Sequence, residues 1–374
     1  MQYDYLIVGA GFSGSILAER IARELDKKVL LIDKRPHIAG NAYDYFDENG
    51  VLVHKYGPHI FHTNSKKVWD YLSRFTEWHP YEHRVKVMVE DLSIPIPFNM
   101  NSVHQVFGAS HAERLEKLLI RHYGYGKKVP ILQLRETHNK DLKRLADFIY
   151  DNIFRGYTLK QWDLTPEQLD PSVTARVPFV ISRDDRYFHD VYQAMPRHGY
   201  TAMFRNILNH PNIELCLNRD YRDVVTDVKF NKLIYTGAID QFFDYLHGEL
   251  PYRSLRFEFQ SLPREYYQEV AQVNYPNHYP FTRITEFKHF ISQQLPATTI
   301  SREYPQPHIP GENDPYYPIP RKENEAVFQK YRKEVRKLNG SVLFLGRLAD
   351  YKYYNMDQIA ARALMLFEKE ICGN

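Results

Sequence analysis

Tyr5 to Asp33 reads YLIVGAGFSGSILAERIARELDKKVLLID, and this stretch decides the fold. Tyr5 to Val8 is a short apolar run of the kind that forms a strand buried on both faces. Gly9, Gly11 and Gly14 follow as G-x-G-x-x-G, and then Leu17, Ile21 and Leu25 recur at helical spacing. Strand, glycine turn and helix is the context in which this motif binds a dinucleotide. The glycines permit a tight turn and close approach of backbone to a pyrophosphate, while the helix N-terminus offers N–H donors to it. A second apolar run, Val29 to Ile32, ends at Asp33, where a carboxylate usually holds a ribose hydroxyl pair. The motif predicts a dinucleotide site without choosing between FAD and NAD.

Outside that stretch the chain reads as an ordinary globular protein. Its 374 residues allow two or three domains, and 49 basic against 46 acidic side chains leave a net charge of +3. Scattered charge of this kind excludes a nucleic-acid binder with one basic face. Cys216 and Cys372 form neither a disulfide framework nor a CxxC pair, no apolar run approaches a membrane span, and the start carries no basic leader. A cytoplasmic protein with no membrane partner is therefore expected. Tyrosine is abundant, with 29 residues, and it suits both cores and polar, ring-shaped ligands. His54, His59 and His62 lie close together, but without H-E-x-x-H spacing or an interleaved carboxylate, so no metal is expected; 51–64 reads as a loop packed on the cofactor.

Leucines at three- and four-residue intervals predict helices between Asn101 and Tyr157. Arg253–Phe259, Ala271–Tyr275 and Thr298–Tyr304 read as antiparallel strands, Leu233–Gly237 and Val342–Gly346 as further buried strands, and Pro305–Pro320 as a surface loop. The fold class expected is α/β, a Rossmann-like dinucleotide-binding domain, which the family resemblance set out below makes an FAD-binding domain with an inserted helical domain and an antiparallel β-sheet domain. The boundaries expected are 1–75, 195–245 and 330–374 for the first; 101–176 for the helical domain; and 76–100, 177–194 and 246–329 for the sheet. Two arginine and tyrosine groupings stand out. One contains Tyr157, Gln161, Trp162, Arg176 and Arg186-Tyr187-Phe188, the other Arg283, Tyr316, Tyr317, Arg347, Tyr353 and Tyr354. Arginine forks and tyrosine hydroxyls suit a buried diphosphate, and aromatic faces suit a nucleobase.

GAGFSG, DKRPHIAGNAY, HKYGPHIFHTN, PFNMN, GYTLKQW, RDDRYF, PYRSL, EFKHF, PYYPIP and GRLADYKYYNMDQ, in this order, resemble the bacterial UDP-galactopyranose mutase family. The resemblance implies an isomerase that interconverts UDP-galactopyranose and UDP-galactofuranose with no net redox change, for cell-surface polysaccharide synthesis. It implies FAD, active when reduced, whose N5 forms a covalent adduct with the sugar, a reductant such as NAD(P)H, and a homodimer. Residue by residue, it assigns the diphosphate clamp to Arg176, on a mobile loop, and to Arg283, and it sets His62 beside the flavin. Tyr157, Trp162, Tyr187, Tyr317, Tyr353, His83 and Asn274 are expected at the substrate. Gly9, Gly11, Phe12, Ser13, Gly14, Asp33, Lys34, Asn41, His59, Arg347, Tyr354, Asn355 and Met356 are expected at FAD.

Three positions depart from the family pattern: Val180 stands where many members have arginine, Asn355 where many have aspartate, and Ala39 where glycine is usual. The first would loosen the electrostatics of the mobile loop, and the second removes a negative charge near the site. Alternatives at this stage are a mutase for UDP-N-acetylgalactosamine or dTDP-fucose, a flavin oxidoreductase such as an amine oxidase, and a nucleotide-sugar binding protein without catalysis.

Overall fold

The computed structural model describes residues 2–169 and 177–373. The motif of the N-terminus forms β1 (Gln2–Val8), α1 (Phe12–Leu25) and β2 (Val29–Asp33). They belong to a five-stranded, wholly parallel sheet in the order Ile213–Leu217, β2, β1, Lys229–Tyr235, Val342–Phe344. Every residue of β2 is buried, as a continuous apolar run requires when both faces of a sheet are covered. On one face, Ile16, Leu17 and Ile21 of α1 join a core with Phe204 of the helix Tyr200–Leu208 and Ala360 and Leu364 of the helix Met356–Leu366. Both later apolar runs expected as buried strands therefore sit in this sheet.

The helical segment has its own core. Leu115 and Leu119 of Ala109–Tyr123 meet Leu142, Leu145 and Ile149 of Lys140–Ile149, and the cluster extends to Val85, Val87 and Ile96 in the neighbouring sheet. The Asn139 side chain starts the second of these helices by accepting from the N–H groups of Asp141 and Leu142 at 3.0 and 3.1 Å. This helix passes through a π turn, Tyr150–Arg155, directly into Gly156–Trp162.

The second large sheet has seven strands in the order Tyr317–Pro318, Tyr252–Leu262, Thr298–Pro307, Arg283–Glu286, Gln272–Asn274, Val85–Val89, Leu92–Ile96. All neighbours are antiparallel except Gln272–Asn274 and Val85–Val89, which run parallel. The three strands expected here are present, but the loop expected at Pro305–Pro320 is not all loop. Pro305 and Pro307 pair with Leu255 and Arg253, and Tyr317–Pro318 adds an edge strand. The pairing with Arg283–Glu286 ends at Glu303, so beyond it that side of the strand is an edge, where a missing N–H costs little. The loop expected at 51–64 likewise contains two short strands, Leu52–His54 and Phe61–Thr63. The latter forms a three-stranded sheet with Tyr192–Pro196 and Trp78–Pro80, so the boundaries expected near residues 75 and 194 run through one small sheet. Among the described residues no helix is long and apolar enough to cross a membrane.

Candidate active site

The glycine turn is built from backbone. Gly9 has φ +103°, and a Cβ there would lie 2.0 Å from Thr236 Oγ1; a Cβ on Gly14 would lie 1.9 Å from the Gly9 carbonyl oxygen. Only glycine lets the turn close onto α1, whose N-terminus no side chain caps. Gly9, Gly11, Phe12, Ser13, Asp33 and Lys34 line a cavity of about 600 Å³. The Asp33 carboxylate is oriented at the tip of β2 by the N–H groups of Ala10, at 2.8 Å, and Arg35, at 2.9 Å. Arg35 donates to Asn41 Oδ1 at 2.8 Å and to Asp314 Oδ2 at 2.9 Å, drawing the 308–316 loop to the groove. At the far end Arg347 is held by the carbonyls of Tyr316 and Tyr354 at 3.3 and 2.8 Å, and Asn355 caps the helix Met356–Leu366 in a reciprocal pair with Gln358.

A second cavity, of about 470 Å³, opens from the first; Asn41, His59, Tyr316, Arg347, Tyr354, Asn355 and Met356 border both. Its wall includes Arg283 and its cross-strand partner Glu303. Arg283 Nε lies 3.0 Å from Glu303 Oε1 but off the line of its N–H, so the contact is an ion pair and Nε keeps no well-aligned acceptor. Burial opposes the charge on Arg283, yet Glu303, Tyr157, Tyr317 and Tyr353 hold its guanidinium above the ordinary range. Burial pushes the Glu303 carboxyl up, with Arg283 pulling the other way. A guanidinium keeps its proton, so Arg283 is the cation of this pair on the cleft wall.

Around Arg283, side chains converge from distant parts of the chain. The rings of Trp162, Tyr317 and Tyr353 cluster with centroids 5.0 to 6.3 Å apart. Burial raises the hydroxyl pKa of Tyr157 and of Tyr317, so both remain donors, as an anionic oxygen requires. His83 is buried, its Nδ1 paired with the Tyr81 hydroxyl at 3.0 Å, and Asn274 Oδ1 accepts from Gln272 at 3.0 Å. Burial, then Arg283 and His62, push His83 down to about 3, so it faces the cleft as a neutral imidazole. His62 stacks on Phe188 with centroids 3.6 Å apart, and its Nδ1 lies 2.9 Å from Asp190 Oδ2.

The expected substrate residues Tyr157, Trp162, Tyr187, Arg283, Tyr317, Tyr353, His83 and Asn274 all border the second cavity, with His62. Arg176 lies outside the described residues. Gly14 is off the cavity wall, packed under Gly9. Val180 is a buried residue paired with Lys128 and does not border the cleft. Ala39 has φ +71°, which explains why glycine is usual there. Glu303 and Gln272 line the cleft and went unnoticed in the sequence, where no motif marks them, and Tyr56, within the HKYGPHIFHTN string but given no role there, lines it too; Gln161 Oε1 is buried without a partner. Among the described residues no group of three or more His, Cys, Asp or Glu side chains is placed to hold a metal; His54 Nδ1 accepts from the His59 N–H at 3.1 Å, while the His59 and His62 rings pair with the Gly57 carbonyl and Asp190.

Residues 152–353 match the profile of the family described as UDP-galactopyranose mutase, and residues 7–75 that of the NAD(P)-binding Rossmann-like domain. A probable UDP-galactopyranose mutase of Klebsiella pneumoniae is 36% identical over 96% of this chain and 92% of its own. The dTDP-fucopyranose mutase of Escherichia coli is 34% identical over 99% of this chain and 98% of its own. Among solved structures, a reduced UDP-galactopyranose mutase superposes with a TM-score of 0.75 at 15% identity, covering 100% of this chain and 95% of that one. With the parallel sheet, the glycine turn and the arginine-lined cleft in place, these matches show that the chain belongs to the UDP-galactopyranose mutase family, a family of isomerases.

Proposed function

We propose that this enzyme interconverts UDP-galactopyranose and UDP-galactofuranose without net redox change, using FAD in its reduced form. The groove suits that cofactor on its own chemistry: a glycine turn in which a Cβ on Gly9 or Gly14 would clash, an uncapped helix N-terminus, and an oriented carboxylate at the strand tip. Gly9, Gly11, Phe12 and Ser13 would hold the pyrophosphate, Asp33 and Lys34 the ribose end, and Asn41, His59, Arg347, Tyr354, Asn355 and Met356 the end nearest the cleft. When bound, reduced flavin supplies the nucleophile that displaces UDP from the anomeric carbon.

The chain's own part is to bind, orient and neutralise. Arg283 carries the reading: a partly buried guanidinium, its Nε ion-paired with Glu303 at 3.0 Å without a well-aligned acceptor, ringed by tyrosines in a cleft continuous with the dinucleotide groove. Such a charge stabilises a departing diphosphate far more than it would in water. Tyr157, Tyr317 and Tyr353 would donate to phosphate oxygens, Trp162 and Tyr187 would exclude water around the nucleotide and sugar, and neutral His83 with Asn274 would orient the sugar hydroxyls. Arg176 joins the clamp on its sequence position alone. The proposal includes a cytoplasmic setting, for which the free thiols of Cys216 and Cys372 speak, a reductant such as NAD(P)H, and, from the family resemblance, a homodimer.

The test is to incubate the dithionite-reduced protein with UDP-galactofuranose and follow UDP-galactopyranose. No turnover in reduced protein would refute the reading. A second reading, a mutase for dTDP-fucose or UDP-N-acetylgalactosamine, is supported by the 34% identity to dTDP-fucopyranose mutase and by apolar Val87, Ile96 and Ile153 on the cleft wall. Competition among the three sugar nucleotides separates the two.

A further inference from the structure

Lys160 stands on the helix Gly156–Trp162 but not on the wall of the cleft that Tyr157 and Trp162 line. Its Nζ lies within hydrogen-bond distance of four backbone carbonyls of one loop, which its three N–H groups serve with one shared: Tyr275 in close contact, Tyr279 and Phe281 at 3.0 Å each, and Asn277 at 3.3 Å. The loop connects Gln272–Asn274 to Arg283–Glu286 and closes at its base through the Tyr275 N–H and the Thr282 carbonyl, at 2.8 Å. Two further contacts join it to the helix. A Cβ on Gly156 would lie 2.5 Å from the Pro276 carbonyl oxygen, and the Asn277 amide donates to the Asn152 carbonyl at 2.9 Å.

Four carbonyl dipoles aimed at one point repel one another unless a cation sits between them, so the loop has the inner surface of a monovalent-cation site with a side chain as its occupant. A neutral amine would turn its lone pair toward one of those oxygens; the ammonium presents three hydrogens and no lone pair. Burial draws Lys160 down to about 8, which still leaves it charged at neutral pH. We propose that Lys160 is a positioning residue, its ammonium acting as a tethered monovalent cation that holds the 275–281 loop, and with it Arg283, in register with Tyr157 and Trp162. The inference rests on the reading above that Arg283 and Tyr157 grip the nucleotide sugar. The loop contributes nothing to the wall of the dinucleotide groove, so losing the cation should disturb substrate and spare the cofactor.

Lys160→Ala in the flavin-loaded protein tests this. Flavin content should match the wild type, and KM for the nucleotide sugar should rise on the order of tenfold or more, since small misplacements of clamp groups are costly. Ammonium or potassium ions should bring KM back toward wild type in Lys160→Ala, whereas tetramethylammonium, too large for the site, should not. Lys160→Met, whose side chain fills the space, should stay impaired in all three salts. A wild-type KM in Lys160→Ala, or a defect indifferent to ammonium and potassium, would overturn the proposal. If Lys160→Ala fails to take up flavin, the uncharged Lys160→Gln replaces it: a wild-type KM there overturns the need for a cation, and a raised one supports it. A wild-type protein that neither turns over the nucleotide sugar nor binds UDP would instead sink the underlying reading.

Discussion

The dinucleotide groove and the arginine-lined cleft share a wall but are made differently. The groove is organised by backbone: a glycine turn, an uncapped helix end and one carboxylate from residues 8–42 form its base, and side chains from 219–245, 311–316 and 346–359 complete its wall. The cleft is side chain, drawn from strands and helices far apart in the chain, with Tyr157, Arg283, Glu303, Tyr317 and Tyr353 meeting only in the fold. A site organised by backbone tolerates change in most side chains but not an added Cβ. A site made of side chains tolerates nothing at its charged centre but leaves the fold intact when that centre is removed.

The strongest way to break this contrast is Arg283→Ala. It should keep flavin and lower kcat/KM by about 10²–10³, or about 3–4 kcal/mol of transition-state stabilisation, in steady-state assays of reduced enzyme. Lys at 283 should recover little, because an ammonium lacks the planar fork. Gly14→Ala should do the reverse. Its Cβ meets backbone at 1.9 Å, so the turn must shift, costing about 1–3 kcal/mol in urea unfolding, and flavin should be lost on gel filtration.

A pH series sharpens the contrast further. Burial pushes His54 and His83 down to about 3 and His59 to about 4. Each takes up a proton near pH 6.5 when unfolded but not when folded. Stability present above about pH 6.5 is therefore lost as pH falls toward 3–4, by up to about 1.4 kcal/mol per pH unit per histidine. Urea midpoints should drop between pH 7 and pH 5, and His83→Asn should flatten that slope. The smallest effect expected is at Ala39. Removing a left-handed penalty of about 1–2 kcal/mol while adding about 0.5–1 of glycine entropy makes Ala39→Gly stabilising by at most about 1.5 kcal/mol, readable as a small rise in melting temperature.

Much of the fold was legible because its signals are local. Apolar runs named four of the five strands of the parallel sheet but not Ile213–Leu217, leucine spacing named the helices between Asn101 and Tyr157, and the glycines named the turn. Where the reading failed, long-range pairing had overridden local chemistry. Pro305 and Pro307 look like breakers but sit where the strand has lost one neighbour, and Phe61–Thr63 becomes a strand only by pairing with Tyr192–Ala194.

By itself, then, the sequence determined a dinucleotide turn between two buried strands, because dihedral preference and hydrophobic period are set by near neighbours. Its longer strings pointed to the family and to the arginine and tyrosines of the cleft. Only the tertiary structure decided how these meet. The register that places Arg283 opposite Glu303 puts a buried carboxyl beside the clamp. Four carbonyls of a loop that nothing in the sequence marks converge on Lys160. Register and carbonyl direction are properties of paired and folded backbone, and no single stretch of residues encodes them.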